Sequence, residues 1–383
     1  MMARLIRSAC HALVSIQFRQ AVLSDVDALV ALEARCFDSD RLSRRSFKRF
    51  CQPGPHRLRA LFIDDTIAGY SLILLRRGTS LARLYSLALA PERRGQGLAQ
   101  RLLQDAEECA AALDSVYLRL EVRTDNEAAI ALYQRCGYQR FGQVADYYDD
   151  GCDALRYEKR LTSLVRSSAL NAPKYYRQTT EFTCGPASLM MAMHALRPTT
   201  PMDRRNELQL WREATTIFMT SGHGGCSPQG LALAALRRHF QVLMYINDSG
   251  TPFIDSVRDP HKREVIQLVH DDFLDQLQDY PDTLTTCHLD NATFSEALDR
   301  HNHLVALIST WSLNRNRAPH WVYIHRSDRN YVYIHDPDTE EQAGQSEAEF
   351  VHVPIAIDRF VGMASFGKRR LRCLLAIENV DSP

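Results

Sequence analysis

The chain has 383 residues, with 46 basic and 46 acidic side chains and a formal net charge of +0 at pH 7. This length predicts two domains, and the balanced charge provides no net field that would attract nucleic acid or an anionic membrane. No segment contains the roughly 18 consecutive apolar residues that a membrane-spanning helix requires. The 10 cysteines form no CxxC pair and no regular spacing, so we expect no metal site and no disulfide framework, and reduced thiols in a cytoplasm.

Residues 1–15 are expected to form an N-terminal extension. This segment carries basic residues, but its apolar run is short and interrupted. A secretory signal is therefore not expected, and the first domain is predicted to start at residue 16.

The segment 84–103 contains an apolar strand, a turn with glycines and an amphipathic helix in immediate succession. Gly95 and Gly97 allow the backbone to approach a ligand without an intervening Cβ. The N-terminus of the following helix offers unpaired N–H groups and a positive dipole end, so the segment predicts a pyrophosphate-type anion site. A GK[ST] ending is missing, which excludes a P-loop, and Gln100 stands where a dinucleotide-binding fingerprint requires a small residue.

The six residues from Arg94 to Ala99 resemble the pyrophosphate-binding motif of the GCN5-related N-acetyltransferases (GNAT). Downstream, the alternating strand at 117–122 and the capped helix after Thr124 resemble the subgroup that acetylates protein N-termini, the ribosomal-protein alanine acetyltransferases. The resemblance covers residues 16–161 and implies a mixed sheet flanked by helices, acetyl-CoA as acyl donor and a peptide or protein amine as acceptor. The positions that it assigns to acetyl-CoA are Leu87, Leu89, Arg94, Gly95, Gln96, Gly97, Leu98, Ala99 and Asn126.

Acetyl transfer to an amine requires a base that removes the ammonium proton and an acid that protonates the departing thiolate. The resemblance places Glu121 at the position of the base and Tyr133 at the position of the acid. The residues by themselves leave two structural interpretations open. Glu121 lies between Arg119 and Arg123, as a solvated charge at a sheet edge would. Tyr133 lies on the inner face of a helix, as a core aromatic would.

The segment 162–173 is rich in small and polar residues and ends in an Ala-Pro step, which predicts a linker. A second domain is then expected over residues 174–380. Within it, Cys184 differs from the other cysteines because a polar stretch ends there and an apolar helix begins. A helix N-terminus favours the thiolate form of a cysteine. The alternative is an inert cysteine buried at the start of a helix.

Two β-rich runs on either side of a polar turn predict a β-hairpin near the end of the second domain. If the loop comprises residues 327–329, His320 lies directly opposite Asp336, close enough for the carboxylate to hold the imidazole. In the same register, His335 faces Trp321. A loop that is one residue longer makes these pairings diagonal.

Cysteine, histidine and an orienting carboxylate are the parts of a thiol hydrolase, and Gln178, six residues before the cysteine, is a candidate oxyanion donor. The set Gln178, Cys184, His320 and Asp336 resembles the C39 peptidases, papain-like enzymes that remove leader peptides, commonly after a double glycine. The resemblance covers residues 174–340 and implies a papain-like α+β domain, so the whole chain is expected to be an α/β (α+β) protein.

Several features depart from a minimal C39 peptidase. Thr183 stands where many members have an acidic residue, the stretch 251–293 is long, and the usual membrane spans and nucleotide-binding module are missing. The loop 222–228, which leads into a capped helix, supports the resemblance, and the alternative is that its residues are structural. Three hypotheses follow: a bifunctional acetyltransferase and peptidase, an acetyltransferase whose second domain only binds peptides, and a peptidase with a regulatory acetyl-CoA-binding domain.

Overall fold

The protein is described here from a computed structural model, which covers residues 15–165, 167–215, 224–315, 318–339 and 346–380. The expected extension up to residue 14, and residues 222 and 223 of the loop before the capped helix, lie outside the described residues. The chain forms two compact units. The first comprises Met1–Leu75, Ala82–Asp114 and Leu118–Lys159, and the second comprises Arg76–Leu81, Ser115–Tyr117 and Arg160–Pro383.

The first unit is built on a seven-stranded sheet with the strand order β1-β2-β3-β4-β5-β7-β6. Its strands are β1 Ile16–Gln20, β2 His56–Ile63, β3 Thr66–Leu75, β4 Leu81–Leu89, β5 Tyr117–Arg123, β6 Gln139–Val144 and β7 Ala154–Arg160. Its helices are α1 Val26–Cys36, α2 Arg44–Phe50, α3 Leu98–Ala111 and α4 Glu127–Arg135.

Helices cover both faces of strand β2, whose last four residues, 60–63, are all apolar. Leu58 and Ala60 belong to a core cluster with residues of α1 and α2. Leu61 and Ile63 belong to another cluster, with residues of α3. The sequence places alternate residues of β2 on opposite faces, so each face presents apolar side chains to a helix.

The second unit is built on a second seven-stranded sheet, with the order β13-β12-β11-β10-β14-β8-β9. Its strands are β8 Phe240–Ile246, β9 Leu284–His288, β10 Leu304–Ser309, β11 Pro319–Ser327, β12 Tyr331–His335, β13 Val353–Ala356 and β14 Cys373–Asn379. Its helices are α5 Cys184–Leu196, α6 Arg204–Ala214, α7 Pro228–Leu236, α8 Pro260–Leu277, α9 Asn291–Arg300, α10 Trp311–Asn314 and α11 Ile357–Met363. The two units confirm the expected α/β (α+β) class.

Helix α5 is buried from its first residue, Cys184, through Met193, and it packs against strand β11. This close packing depends on Gly185. A Cβ at that position would lie 3.1 Å from both the Trp321 ring and the Leu231 side chain, a distance at which the neighbours would have to move. The sequence Cys-Gly therefore sets the nucleophile candidate at the start of a helix that lies directly on the sheet.

The β11–β12 hairpin forms, but its predicted register is wrong. His335 pairs with Tyr323 and not with Trp321, and a β-bulge follows between Ile324 and Arg326. The count was wrong at the turn itself: Ser327 pairs with Val332, so the loop does not comprise residues 327–329, and the bulge then shifts the pairing by one residue. Strand β12 ends at His335, and Asp336 directly follows it.

The segment 162–173, predicted to be a linker, is part of the second unit. It contains the short 3-10 helix Ala169–Asn171 and buries Val165 completely. A segment rich in small and polar residues therefore contains both a short helix and a buried side chain. Within the described part of the protein, every helix is too short or too polar to cross a membrane.

Candidate active sites

The turn before helix α3 has the backbone conformation that an anion cradle requires. Gly95 and Gly97 adopt φ angles of 76° and 74°, a left-handed conformation that glycine adopts without strain. A Cβ added at either glycine would meet no described atom within 4 Å, so the space in front of the turn is open. Gly97 is also the N-cap of α3 and provides no side chain to bond the first N–H groups. This arrangement fits a pyrophosphate group.

The polar residues among the other positions expected at the acetyl-CoA site form hydrogen bonds with nearby backbone groups. Arg94 Nε donates to the Leu89 carbonyl at 3.4 Å, and Gln96 Nε2 donates to the Glu92 carbonyl at 3.2 Å. Asn126 is the N-cap of α4, where its Oδ1 accepts from the Ala129 N–H at 3.1 Å. The apolar members belong to the core or pack against it: Leu87, Leu89, Leu98 and Ala99.

Glu121 is held between two arginines rather than exposed at a sheet edge. Its carboxylate accepts from Arg83 Nε at 2.8 Å and lies 3.9 Å from Arg156 Nε, and its side chain is only 4% exposed. Arg83 also donates to the Tyr147 hydroxyl at 2.7 Å. The two arginines belong to strands β4 and β7, on either side of β5 in the sheet, so the order of residues along the chain did not indicate them.

Tyr133 is a buried tyrosine of α4, 8% exposed, whose ring meets the Tyr138 ring edge-on with centroids 5.6 Å apart. Burial, with a smaller contribution from Cys136, raises the pKa of Tyr133 to about 12. The phenol is consequently protonated at neutral pH, which a general acid must be.

In the second unit, the three residues predicted for a thiol hydrolase come together. His320 Nε2 lies 2.7 Å from Asp336 Oδ1, and both side chains are buried. Cys184 is 7% exposed and close enough to the same imidazole to raise its pKa. Arg76, which belongs to the second unit, forms an ion pair with the other carboxylate oxygen of Asp336 and donates to the Glu349 carbonyl at 2.7 Å.

The charges of this cluster stabilise one another. Burial by itself would lower the pKa of His320, but the charges of Asp336 and Cys184 and the hydrogen bonds to both raise it well above 6.5. Burial would likewise raise the pKa of Asp336, but His320 and Arg76 lower it to about 2. The carboxylate is therefore ionised across the physiological range and favours a protonated imidazole beside the cysteine.

Gln178 lies on the segment that precedes α5. Its backbone N–H donates to the Pro337 carbonyl at 3.0 Å, which ties this segment to the residue next to Asp336. The Gln178 side chain is 8% exposed, and its Oε1 meets no hydrogen-bond partner among the described residues. An amide oxygen only accepts hydrogen bonds, so the group that would donate to an oxyanion is the Nε2 amide of the same side chain.

Sequence reasoning missed Glu207, a fully buried acid of α6 that bonds this segment. Its carboxylate accepts from the Thr179 N–H at 2.8 Å, the Thr179 hydroxyl at 2.7 Å and the Tyr176 hydroxyl at 3.0 Å, and also from the Thr183 hydroxyl. Among the described residues, no group of histidine, cysteine and acidic side chains is arranged to hold a metal ion.

Comparisons with known proteins match the two parts of the chain to two different families. A model described as the Peptidase_C39 like family matches residues 173–378, and the acetyltransferase (GNAT) family model matches residues 26–138. An uncharacterised protein of Mycobacterium leprae is 35% identical over 135 residues, which are 34% of this chain and 37% of that protein. The chain thus spans little more than a third of that relative's length.

Two further proteins are similar to the first unit over most of their own length. N-alpha-acetyltransferase RimI of Mycobacterium tuberculosis is 35% identical over 136 residues, 34% of this chain and 84% of that protein. The solved ribosomal-protein-S18-alanine N-acetyltransferase of Escherichia coli is 24% identical, with a TM-score of 0.36, over 40% of this chain and 99% of that one. The chain therefore belongs to the Peptidase_C39 like family and carries, in its N-terminal part, a domain of the acetyltransferase (GNAT) family.

Proposed function

We propose that this protein is a bifunctional enzyme, an acetyl-CoA-dependent N-acetyltransferase of a peptide or protein amine and a cysteine peptidase that cleaves a leader-type peptide. The observation that carries this proposal is the buried His320–Asp336 pair beside Cys184, in a chain that also has an open glycine cradle at a helix N-terminus. We assign the acetyltransferase domain to residues 16–161, the connection to 162–173 and the peptidase domain to 174–380.

In the acetyltransferase domain, the N–H groups around Gly95 and Gly97 would hold the pyrophosphate of acetyl-CoA, which supplies an activated acetyl thioester. Glu121 takes the proton of the attacking ammonium, and Tyr133 protonates the departing thiolate. Arg83 and Arg156 support this assignment as the residues that orient the Glu121 carboxylate.

In the peptidase domain, Cys184 Sγ attacks the carbonyl carbon of the scissile peptide bond. His320 donates its proton to the amine nitrogen as the C–N bond breaks, which leaves the acyl group on sulfur as a thioester. Water, deprotonated by His320, then hydrolyses the thioester and restores the thiol. Asp336 orients the imidazole, while Gln178 and the first N–H groups of α5 stabilise the oxyanion.

The cell compartment belongs to the same proposal. The nine cysteines that the structure describes are all free thiols, which suits the reducing cytoplasm in which we place the protein. We propose a peptide or protein as its only macromolecular substrate, and neither nucleic acid nor membrane as a partner, because the net charge is balanced.

Both activities can be tested in one experiment. The wild-type protein and its Tyr133→Phe and Cys184→Ala variants are incubated with acetyl-CoA and a panel of peptides, some of which contain a Gly-Gly step. CoA release reports acetylation, and mass spectrometry reports cleavage. We expect Tyr133→Phe to lose acetylation only and Cys184→Ala to lose cleavage only. If Cys184→Ala changes neither activity, the second domain is not a peptidase.

A further inference from the structure

All four hydrogen bonds that the Glu207 carboxylate accepts come from one short segment. Each carboxylate oxygen accepts two bonds: Oε1 from the Thr179 N–H and the Thr183 hydroxyl, and Oε2 from the Thr179 and Tyr176 hydroxyls. A carboxylate has about four lone-pair sites for acceptance, so the group is saturated. All four donors lie between residues 176 and 183.

The segment that Glu207 holds carries the two groups on which thioester chemistry depends. Gln178 directly precedes Thr179, and Thr183 directly precedes Cys184. Burying a carboxylate is costly unless several donors compensate its lost hydration. The four bonds of Glu207, and its place in the first turn of α6, provide that compensation. The segment is therefore fixed on both sides of the site.

The same contact accounts for Thr183, the position at which many C39 peptidases carry an acidic residue. The Thr183 hydroxyl donates to Glu207, so a carboxylate reaches this position from α6 instead of from the chain beside Cys184. Thr183 itself has no carboxylate, but the Glu207 carboxylate of α6 lies at this position.

We infer that Glu207 is a positioning residue that holds the Gln178 amide in the geometry needed to stabilise an oxyanion formed at Cys184. This inference rests on the proposed peptidase function. Hydrogen bonds to an ionised acceptor are shorter and stronger than neutral ones, and a neutral glutamine in place of Glu207 would hold the segment more loosely. A misplacement of about 1 Å is enough to cost a catalytic site a large factor in rate.

The test compares a ligand that needs the oxyanion donors with a reagent that does not. N-acetyl-glycyl-glycinal adds reversibly to a cysteine thiolate: an S–C bond forms, and the aldehyde oxygen becomes an oxyanion that takes up a proton. Iodoacetamide alkylates the same sulfur by displacing iodide and forms no oxyanion. Protection of Cys184 from alkylation by the aldehyde is followed by mass spectrometry in the full chain.

We expect Glu207→Gln to raise the aldehyde concentration for half-protection about tenfold, with the alkylation rate of Cys184 within about twofold of wild type. Glu213→Gln is the matched control. Glu213 lies on the same helix, but its carboxylate pairs with Arg238 at 2.6 Å, so both values should stay at wild-type level.

Unchanged protection in Glu207→Gln would overturn the inference, and so would a parallel loss of alkylation, because that would indicate a general distortion of the site. Glu207→Asp keeps the charge on a shorter side chain and should restore part of the protection. A wild-type Cys184 that neither reacts before the other thiols nor is protected by the aldehyde would instead reject the peptidase function itself.

Discussion

At the scale of single residues, burial determines the pKa of the tyrosine that is assigned as the acid in acetyl transfer. Tyr133 is buried in α4, and this burial raises the pKa of its phenol to about 12. The proton is thus available at any pH near neutrality. The Glu121 carboxylate is instead held in place by its contacts with Arg83 and Arg156. Removing the carboxylate would take an anionic contact from two buried arginines, which costs stability.

Tyr133→Phe therefore tests the acid with less disturbance than a change at Glu121. We expect this variant to lower the acetylation kcat by about 10²–10⁴, the usual contribution of a general acid, because only the hydroxyl is removed. CoA release measures the rate. Tyr138→Phe removes a hydroxyl from the tyrosine whose ring packs against Tyr133 and should retain activity. Equal rates in the two variants would exclude Tyr133 as the acid.

The Asp336 carboxylate offers a second test at this scale. Asp336→Asn keeps the shape of the side chain but removes the charge that, with Cys184, raises the pKa of His320. We expect peptide cleavage to fall by about 10³–10⁴, as it does when a triad carboxylate is neutralised, while acetylation stays unchanged. Retained cleavage in Asp336→Asn would show that the imidazole does not require this carboxylate.

At the scale of elements, the junction between β4 and α3 is determined by two glycines with left-handed backbones. Gly97→Ala would add a strained residue and project a methyl group into the open space in front of the helix. We expect the acetyl-CoA affinity, measured by calorimetry, to fall by at least about tenfold because the backbone can no longer approach the pyrophosphate.

Gly137→Ala is the matched control for this change. Gly137 also has a positive φ, 85°, and open space around it, but it follows α4 and is no part of the cradle motif. It should lose about the same stability, roughly 1 kcal/mol, and keep its affinity for acetyl-CoA. Equal losses of affinity in both variants would argue against the cradle.

Helix α5 also depends on a glycine, Gly185, but here the reason is close packing against its neighbours. Gly185→Ala would place a methyl group 3.1 Å from Trp321 and Leu231, and we expect it to destabilise the second unit by about 1–3 kcal/mol through overpacking. Gly362→Ala in α11 meets open space and should instead be neutral or stabilise by up to about 1 kcal/mol. Urea unfolding of both variants measures the difference, and a neutral Gly185→Ala would contradict the packing argument.

At the scale of the whole molecule, the three tryptophans provide a selective probe. Trp211, Trp311 and Trp321 all belong to the second unit. Tryptophan fluorescence therefore follows the unfolding of that unit even though a chain with two units is not expected to unfold in one step.

This probe can report the pH dependence that buried histidines impose on the second unit. His325 packs against the rings of His335 and His352, with centroids 4.5 Å and 5.0 Å away. Burial, and then the charges of His335, His352, His303 and Arg326, lower the pKa of His325 well below 6.5. At His325, the unfolded chain consequently binds more protons than the folded chain at mildly acidic pH.

The sign of the effect follows from this difference. The stabilisation is complete above the unfolded pKa, near 6.5, and is lost as the pH falls toward the folded pKa, with a slope of up to about 1.4 kcal/mol per pH unit for one proton. Urea unfolding between roughly pH 5 and 7.5 measures the slope. We expect His325→Phe to flatten it and the exposed His261→Gln to leave it unchanged. A slope that is identical in wild type and His325→Phe would reject the assignment.

Much of the local architecture could be predicted from the sequence. Gly95 and Gly97 adopt the left-handed backbone that a cradle needs, helix α5 begins at Cys184, and the hairpin that carries His320 forms. These features depend on backbone preferences and on hydrophobic patterns within a few residues. The hairpin register was predicted wrongly because the polar residues 327–330 do not show where the turn begins, and a bulge near residue 325 adds a further shift.

The sequence by itself determined the two families and the class of fold, and it supplied the candidates for the reactive residues, because motifs encode them over short distances. Only the tertiary structure decided which partners surround them. Arg83 and Arg156 reach Glu121 across neighbouring strands, and Glu207 reaches the segment before Cys184 from another helix. Such contacts depend on strand order and helix packing, which bring together residues that are far apart in the chain.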